Sequence, residues 1–110
     1  MIGNRQIYIG TVLDLYRQMP GTPLRICSHD RALAHQWFDR QIPIPIIEAA
    51  LLLGSARRLH RPPDALKLAP IRSMAYFAPV VEELVAKPPP TTYIPYLRFK
   101  LGLATSFNTG

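Results

Sequence analysis

The densest chemistry-bearing stretch of this chain runs from Arg57 to Arg72. It contains Arg57, Arg58, Arg61, Lys67 and Arg72, together with His60 and a single acid, Asp64. Arg57 and Arg61 stand at i, i+4 spacing, so a helix places them on one side, with Arg58 beside them. A guanidinium donates two parallel N–H bonds and matches phosphate oxygens geometrically. Cations near a helix C-terminus also complement the helix dipole. Two arginines satisfy that role, and five cations around one proline turn exceed it. The cluster therefore reads as a phosphate-contacting surface, with Arg98 and Lys100 as secondary contacts. Such contacts give affinity without reading sequence and make binding steeply salt-dependent. Tyr93 and Tyr96, close to Arg98 and Lys100, are the candidate base-stacking residues. Tyr76, Phe77 and Trp37 have the spacing of core side chains.

Other chemistries find no apparatus. Cys27, His29 and Asp30 cluster, and His35 and Asp39 are i, i+4 on one helix, but paired metal-ligand spacing is lacking, so no metal or cofactor is expected. Cys27 and His29 have no orienting acid, and Glu82 and Glu83 point in different helical directions, which rules out a nucleophilic pair or a carboxylate dyad. Gly-rich phosphate loops and dinucleotide fingerprints are absent. The expectation is a non-enzymatic protein.

The bulk properties agree with a binding role. The chain has 110 residues, 48% apolar and 18% charged, with a net charge of +6. That size suits one domain with a single modest core. Residues 1–56 carry five basic and four acidic side chains, whereas residues 57–110 carry eight and three, so the positive field belongs to the second half. Arginine outnumbers lysine ten to three. One cysteine, Cys27, allows no internal disulfide and suits a reducing cytoplasm. Apolar runs reach about ten residues, half of the roughly 20 that span a bilayer, so no membrane partner is expected.

The elements that must position these residues are helical. Residues 6–19 place Ile9, Val12, Leu13, Tyr16 and Met19 on one face, and Pro20-Gly21-Thr22-Pro23 stops them. Ser28 reads as the N-cap of a helix over 29–40, with Asp30 suiting its dipole and Leu33, Trp37 and Phe38 inward. Gln41-Ile42-Pro43-Ile44-Pro45 leads to a helix over 45–60 that is apolar nearly all round and hence buried. Its small residues, Ala49, Ala50, Gly54, Ser55 and Ala56, permit close helix approach. Pro70 opens a fourth helix over 70–86, kinked or split at Pro79. Lys87-Pro88-Pro89-Pro90 is a stiff spacer before a short helix over 91–103, and residues 104–110 read as frayed. The fold expected is all-α, a bundle of four to five short helices with proline-rich connections. Residues 1–87 form the helical core, and residues 88–110 form a spacer with a basic, aromatic terminal helix. A helix-turn-helix reading is disfavoured, because the N-terminal end of the third helix, Ile44-Pro45-Ile46-Ile47-Glu48-Ala49-Ala50, is apolar where base-reading side chains must be polar.

One pattern is familiar. Ser28-x-Asp30, then Trp37-Phe38-Asp39-Arg40-Gln41-Ile42-Pro43, a helix containing Ile47 and Ala50, and Ile71-Arg72-Ser73-Met74-Ala75-Tyr76-Phe77 resembles the helical C-terminal module of DnaD-like primosomal and phage replication proteins. The similarity covers about residues 28–84. Gln41 stands where glycine is common in that family, and the family's longer winged-helix domain is lacking. The resemblance implies a helical module that binds single- or double-stranded DNA and helps load or remodel replication machinery, with contacts toward the C-terminal segment. Together these readings give an accessory nucleic-acid-binding protein, for DNA rather than RNA, in replication or mobile-element DNA processing. The alternative is an adaptor subunit of a larger nucleoprotein complex.

Overall fold

The computed structural model describes residues 3–23, 25–62, 64 and 70–103. Among the described residues there are five α-helices: α1 (Asn4–Gln18), α2 (Ser28–Asp39), α3 (Ile44–Leu59), α4 (Ala78–Ala86) and α5 (Tyr93–Leu101). A 3₁₀ turn, Met74–Phe77, leads directly into α4. No strand occurs among the described residues, and none of the described helices is long and apolar enough to cross a membrane. Lys67 and residues 104–110, for which the sequence predicts fraying, lie outside the described residues.

The apolar helix is the centre of the bundle. Ile47, Ala49, Ala50, Leu51, Leu52, Gly54 and Ser55 of α3 are all buried, and α1, α4 and α5 pack around them. A helix with no polar stripe can be satisfied only by neighbours on several sides. Gly54 sets the closest approach: a Cβ there would lie 2.8 Å from Cδ1 of the fully buried Phe77. α5 shares this core through Leu97, so the segment after residue 87 packs on α3.

Local rules explain where elements start and stop. α2 begins one residue earlier than Ser28 indicated, with Cys27 as its N-cap. Asp30, three residues on, accepts from the Cys27 N–H at 3.1 Å and closes a capping box. The α2 C-terminus is a Schellman motif: Ile42 N–H donates to Trp37 O at 3.1 Å and Gln41 N–H to Phe38 O at 2.9 Å. This places Gln41 at φ 59°, the left-handed region that glycine fills most easily. The same pair of bonds closes α5, there with Gly102 at φ 72°.

The fourth helical segment is shorter than its apolar pattern. Residues 70–73 are not helical; Ser73 Oγ accepts from Ala75 N–H at 3.3 Å and caps the 3₁₀ turn. α4 then starts immediately before Pro79, which occupies its first turn. Proline lacks the N–H that an interior position needs, and a first-turn position does not need it.

Candidate nucleic-acid interface

Three parts of the chain meet at one end of the bundle. The Asp30 carboxylate, 1% exposed, bridges two of them: one oxygen holds the Cys27 amide and the other accepts from Met74 N–H at 2.8 Å. That bond places residues 72–74 against the N-terminus of α2. The third part is the end of α3. The Arg58 guanidinium lies over the Tyr76 ring at 5.5 Å, and its Nε is 4.0 Å from where a Cβ of Gly21 would sit.

This assembly gathers arginines distant in sequence. Arg57, Arg58 and Arg61 come from α3 and its exit, and Arg72 precedes the 3₁₀ turn. Arg25 and Arg31 flank the α2 N-terminus. Arg25, Arg31, Arg61 and Arg72 are exposed. Arg25, Arg31 and Arg72 make no hydrogen bond or ion pair among the described residues. The α2 dipole adds positive potential at the same end. Arg25 and Arg31 escaped the sequence reading because neither lies in a basic run. Their grouping with Arg72 depends on the Asp30–Met74 bond, which spans 44 positions.

The other expected contacts fare differently. Arg57 donates to both oxygens of Glu83, at 2.9 and 2.6 Å. That bonding holds the Glu83 carboxyl below its ordinary range and raises the Arg57 guanidinium above its own. A phosphate must therefore compete with a carboxylate for Arg57. Arg98 is turned inward at 6% exposure, donating Nε and Nη2 to Glu48 at 3.0 and 2.8 Å and Nη2 to Gln18 at 3.3 Å. It ties α5 to α3 and α1, so it is a structural cation and not a phosphate contact. Its partner Glu48 is the one acid of α3. Lys100 is exposed.

On α5, Tyr93 is half-buried and Tyr96 is 54% exposed, their rings 6.2 Å apart and 17° from parallel. Phe99, which the sequence reading passed over, is 81% exposed. Its i+3 spacing from Tyr96 and its place beside Lys100 were the available signals. Tyr76 is 41% exposed under Arg58, whereas Phe77 and Trp37 are core residues as their spacing indicated.

The residues weighed as metal ligands have other engagements. Asp30 is committed to two backbone amides, and Arg5 bonds Asp39 at 2.7 Å and His35 Nδ1 at 3.2 Å. Among the described residues no three His, Cys, Asp or Glu side chains gather as a metal site. The far end of α2 carries apolar relief instead. A cavity of about 440 Å³ opens between Tyr8, Phe38 and Ile44 on one side of the Gln41–Pro43 turn. Another of about 320 Å³ lies between Ile46, Val85 and Pro88 on the other. Comparison of the chain with protein families, with curated proteins and with solved structures finds no match.

Proposed function

We propose that this chain is a small, non-catalytic nucleic-acid-binding accessory protein that contacts the phosphate backbone through the arginine-rich end of its bundle. DNA rather than RNA is the intended partner, and the setting is cytoplasmic replication or mobile-element DNA processing, as the DnaD-like resemblance implies. The observation that carries the reading is the Asp30–Met74 bond, which sets Arg72 beside the α2 N-terminus that Arg25 and Arg31 flank, while Arg58 reaches the same 3₁₀ turn over Tyr76. Backbone contacts of this kind fix position and affinity and leave sequence unread. Lys67 belongs to the proposal by sequence position alone.

The test is a double charge reversal, Arg31→Glu with Arg72→Glu, read by fluorescence anisotropy across a salt series. Neither side chain has a partner to lose among the described residues, and a glutamate at position 31 sits in the first turns of α2, where the dipole favours it. The variant should stay folded by circular dichroism, lose most of its affinity, and show a log–log salt slope shallower by about 2, one for each phosphate contact removed. Unchanged affinity in the folded variant refutes the assignment.

The adaptor reading has its own observation: the two apolar cavities flanking the Gln41–Pro43 turn, at the opposite end of α2. Both roles are compatible in one nucleoprotein assembly, with phosphate at one end and protein at the other. Loss of a co-assembling protein on Val85→Arg, with nucleic-acid affinity unchanged, is the expected signature.

A further inference from the structure

An aromatic row on α5 leaves the core: Tyr93 packs against it, and Tyr96 and Phe99 beyond are exposed. Tyr93, Tyr96 and Phe99 follow at i, i+3 and i+6. Each step advances about 4.5 Å along the axis and turns about 60° around it. The row starts beside α3 and rolls outward, which is why exposure rises from the half-buried Tyr93 to 54% at Tyr96 and 81% at Phe99. Leu97, i+4 from Tyr93 and on the face opposite Phe99, is buried in the core, so Phe99 is not needed to anchor the helix.

The charge around the row has one sign. Residues 84–110 contain no Asp or Glu. Lys100 follows Phe99 and is exposed, and Tyr93 is close enough to Arg57 for their charges to interact. The acids that approach, Glu83 and Glu48, are each held by an arginine. Bare aromatic faces beside cations, without free carboxylates, complement a ligand that has both flat π-faces and negative charge. A duplex hides its base faces in the stack, and a single strand presents them.

We propose that the Tyr93–Tyr96–Phe99 row is a base-stacking platform that makes the protein prefer single-stranded nucleic acid, with Phe99 as its principal contact and Lys100 on the adjoining phosphate. The proposal rests on the phosphate-binding reading above and adds the strand class. Tyr96 and Phe99 each offer a face to one base, and Arg57 marks where the strand passes from α5 to the arginine end.

The test compares three probes of equal length by anisotropy: oligothymidylate, a duplex, and an abasic strand that keeps every phosphate and lacks bases. Oligothymidylate should bind about fivefold or more tighter than the abasic strand, the low end of what one stacked base contributes. Phe99→Ala should remove about that factor for oligothymidylate and leave the abasic strand unaffected. Because Phe99 is exposed, the variant should fold as the parent does, which circular dichroism checks. Equal binding of oligothymidylate and abasic strand, or an indifferent Phe99→Ala, overturns the platform and leaves the phosphate reading standing. No binding to any probe at low salt overturns both. Concentration-dependent self-association lost in Phe99→Ala, without a base preference, reassigns the row to contact between copies of the chain.

Discussion

Asp30 is the residue on which the basic end depends, and removing it should separate that end into its parts. Its two oxygens accept from Cys27 N–H and Met74 N–H, and the carboxylate is almost wholly enclosed. Bonds from amides to a charged acceptor are each worth about 1.5–3 kcal/mol net. Asp30→Ala forfeits both and leaves the Met74 amide buried without a partner, so the expected loss is about 3–5 kcal/mol. For a domain of this size that corresponds to a fall in Tm of about 15–30 °C, a large share of a total stability of about 5–15 kcal/mol. Asp30→Asn keeps one acceptor oxygen and should lose about half as much.

Thermal and urea unfolding followed by circular dichroism measure the loss, and amide exchange localises it. Exchange should accelerate first at Met74 and Ala75, while amides in the middle of α3 keep their protection. Binding supplies a second readout. At a temperature where Asp30→Asn is still folded, its affinity for a polyanion should fall, because one acceptor oxygen can no longer hold both the α2 cap and residues 72–74. The reasoning is refuted if Asp30→Ala unfolds within about 0.5 kcal/mol of the parent, the range of ordinary surface substitutions. It is refuted equally if the Met74 amide stays as protected as before.

Other expectations follow from single positions. Gln41→Gly should raise stability by about 0.5–1 kcal/mol, since the left-handed conformation at φ 59° costs a side chain more than glycine's extra chain entropy; a lower Tm would mean that the Gln41 side chain itself holds the turn. Tyr16→Phe should stabilise by about 1 kcal/mol at neutral pH, because the buried Tyr16 hydroxyl has no hydrogen-bond partner among the described residues. Burial first, then the charges of Asp30 and Cys27, push the Tyr16 hydroxyl up to about 12, and burial alone does the same for Tyr8. Their folded values lie above the unfolded value of about 10, so this stability is complete below pH 10 and is lost as pH rises toward 12; Tyr16→Phe should flatten that alkaline decline in unfolding scans. Glu83→Gln should free Arg57 for phosphate, tightening polyanion binding and steepening the salt slope by about 1, with little change in Tm because the pair is exposed.

The fold was readable from the sequence where one period dominated. The α1 face, the all-round apolar α3 and the stops at Pro20-Gly21 and Pro88-Pro89-Pro90 need only local chemistry, and they appear within a few residues of where the pattern put them. The misplacements share a cause. Ser28 has the better capping side chain, but Asp30 two positions on completes a box only if Cys27 is the cap. Ile71 fits a helical period with Met74 and Ala75, yet it serves a non-helical strap that Asp30 pins from 44 positions away. Arg98 and Arg57 looked like surface cations because their partners, Glu48 and Glu83, lie 50 and 26 positions away. Arg25 and Arg31 looked incidental for the converse reason. Long-range pairing decides which charges are spent internally, and no local pattern encodes it.

That partition makes the distribution of charge more informative than its total. Arg5, Arg40, Arg57 and Arg98 are held by Asp39, Glu82, Glu83 and Glu48, each pair joining separate helices. Among the exposed pairs, Arg40 is bonded by both Glu82 oxygens, one at 2.8 Å, which holds the Glu82 carboxyl below its usual range. Exposed pairs of this kind add little stability individually. Their larger effect is to neutralise the flanks of the bundle and the end where α2 meets α3. The net +6 is therefore not spread evenly: Arg25, Arg31 and Arg72 retain their charge at the α2 N-terminus, and Lys100 retains it beside Phe99. A field concentrated at one end and beside α5 orients an approaching polyanion as well as attracting it. Orientation of that kind is what a platform of three rings requires, because stacking begins only after the strand lies along α5.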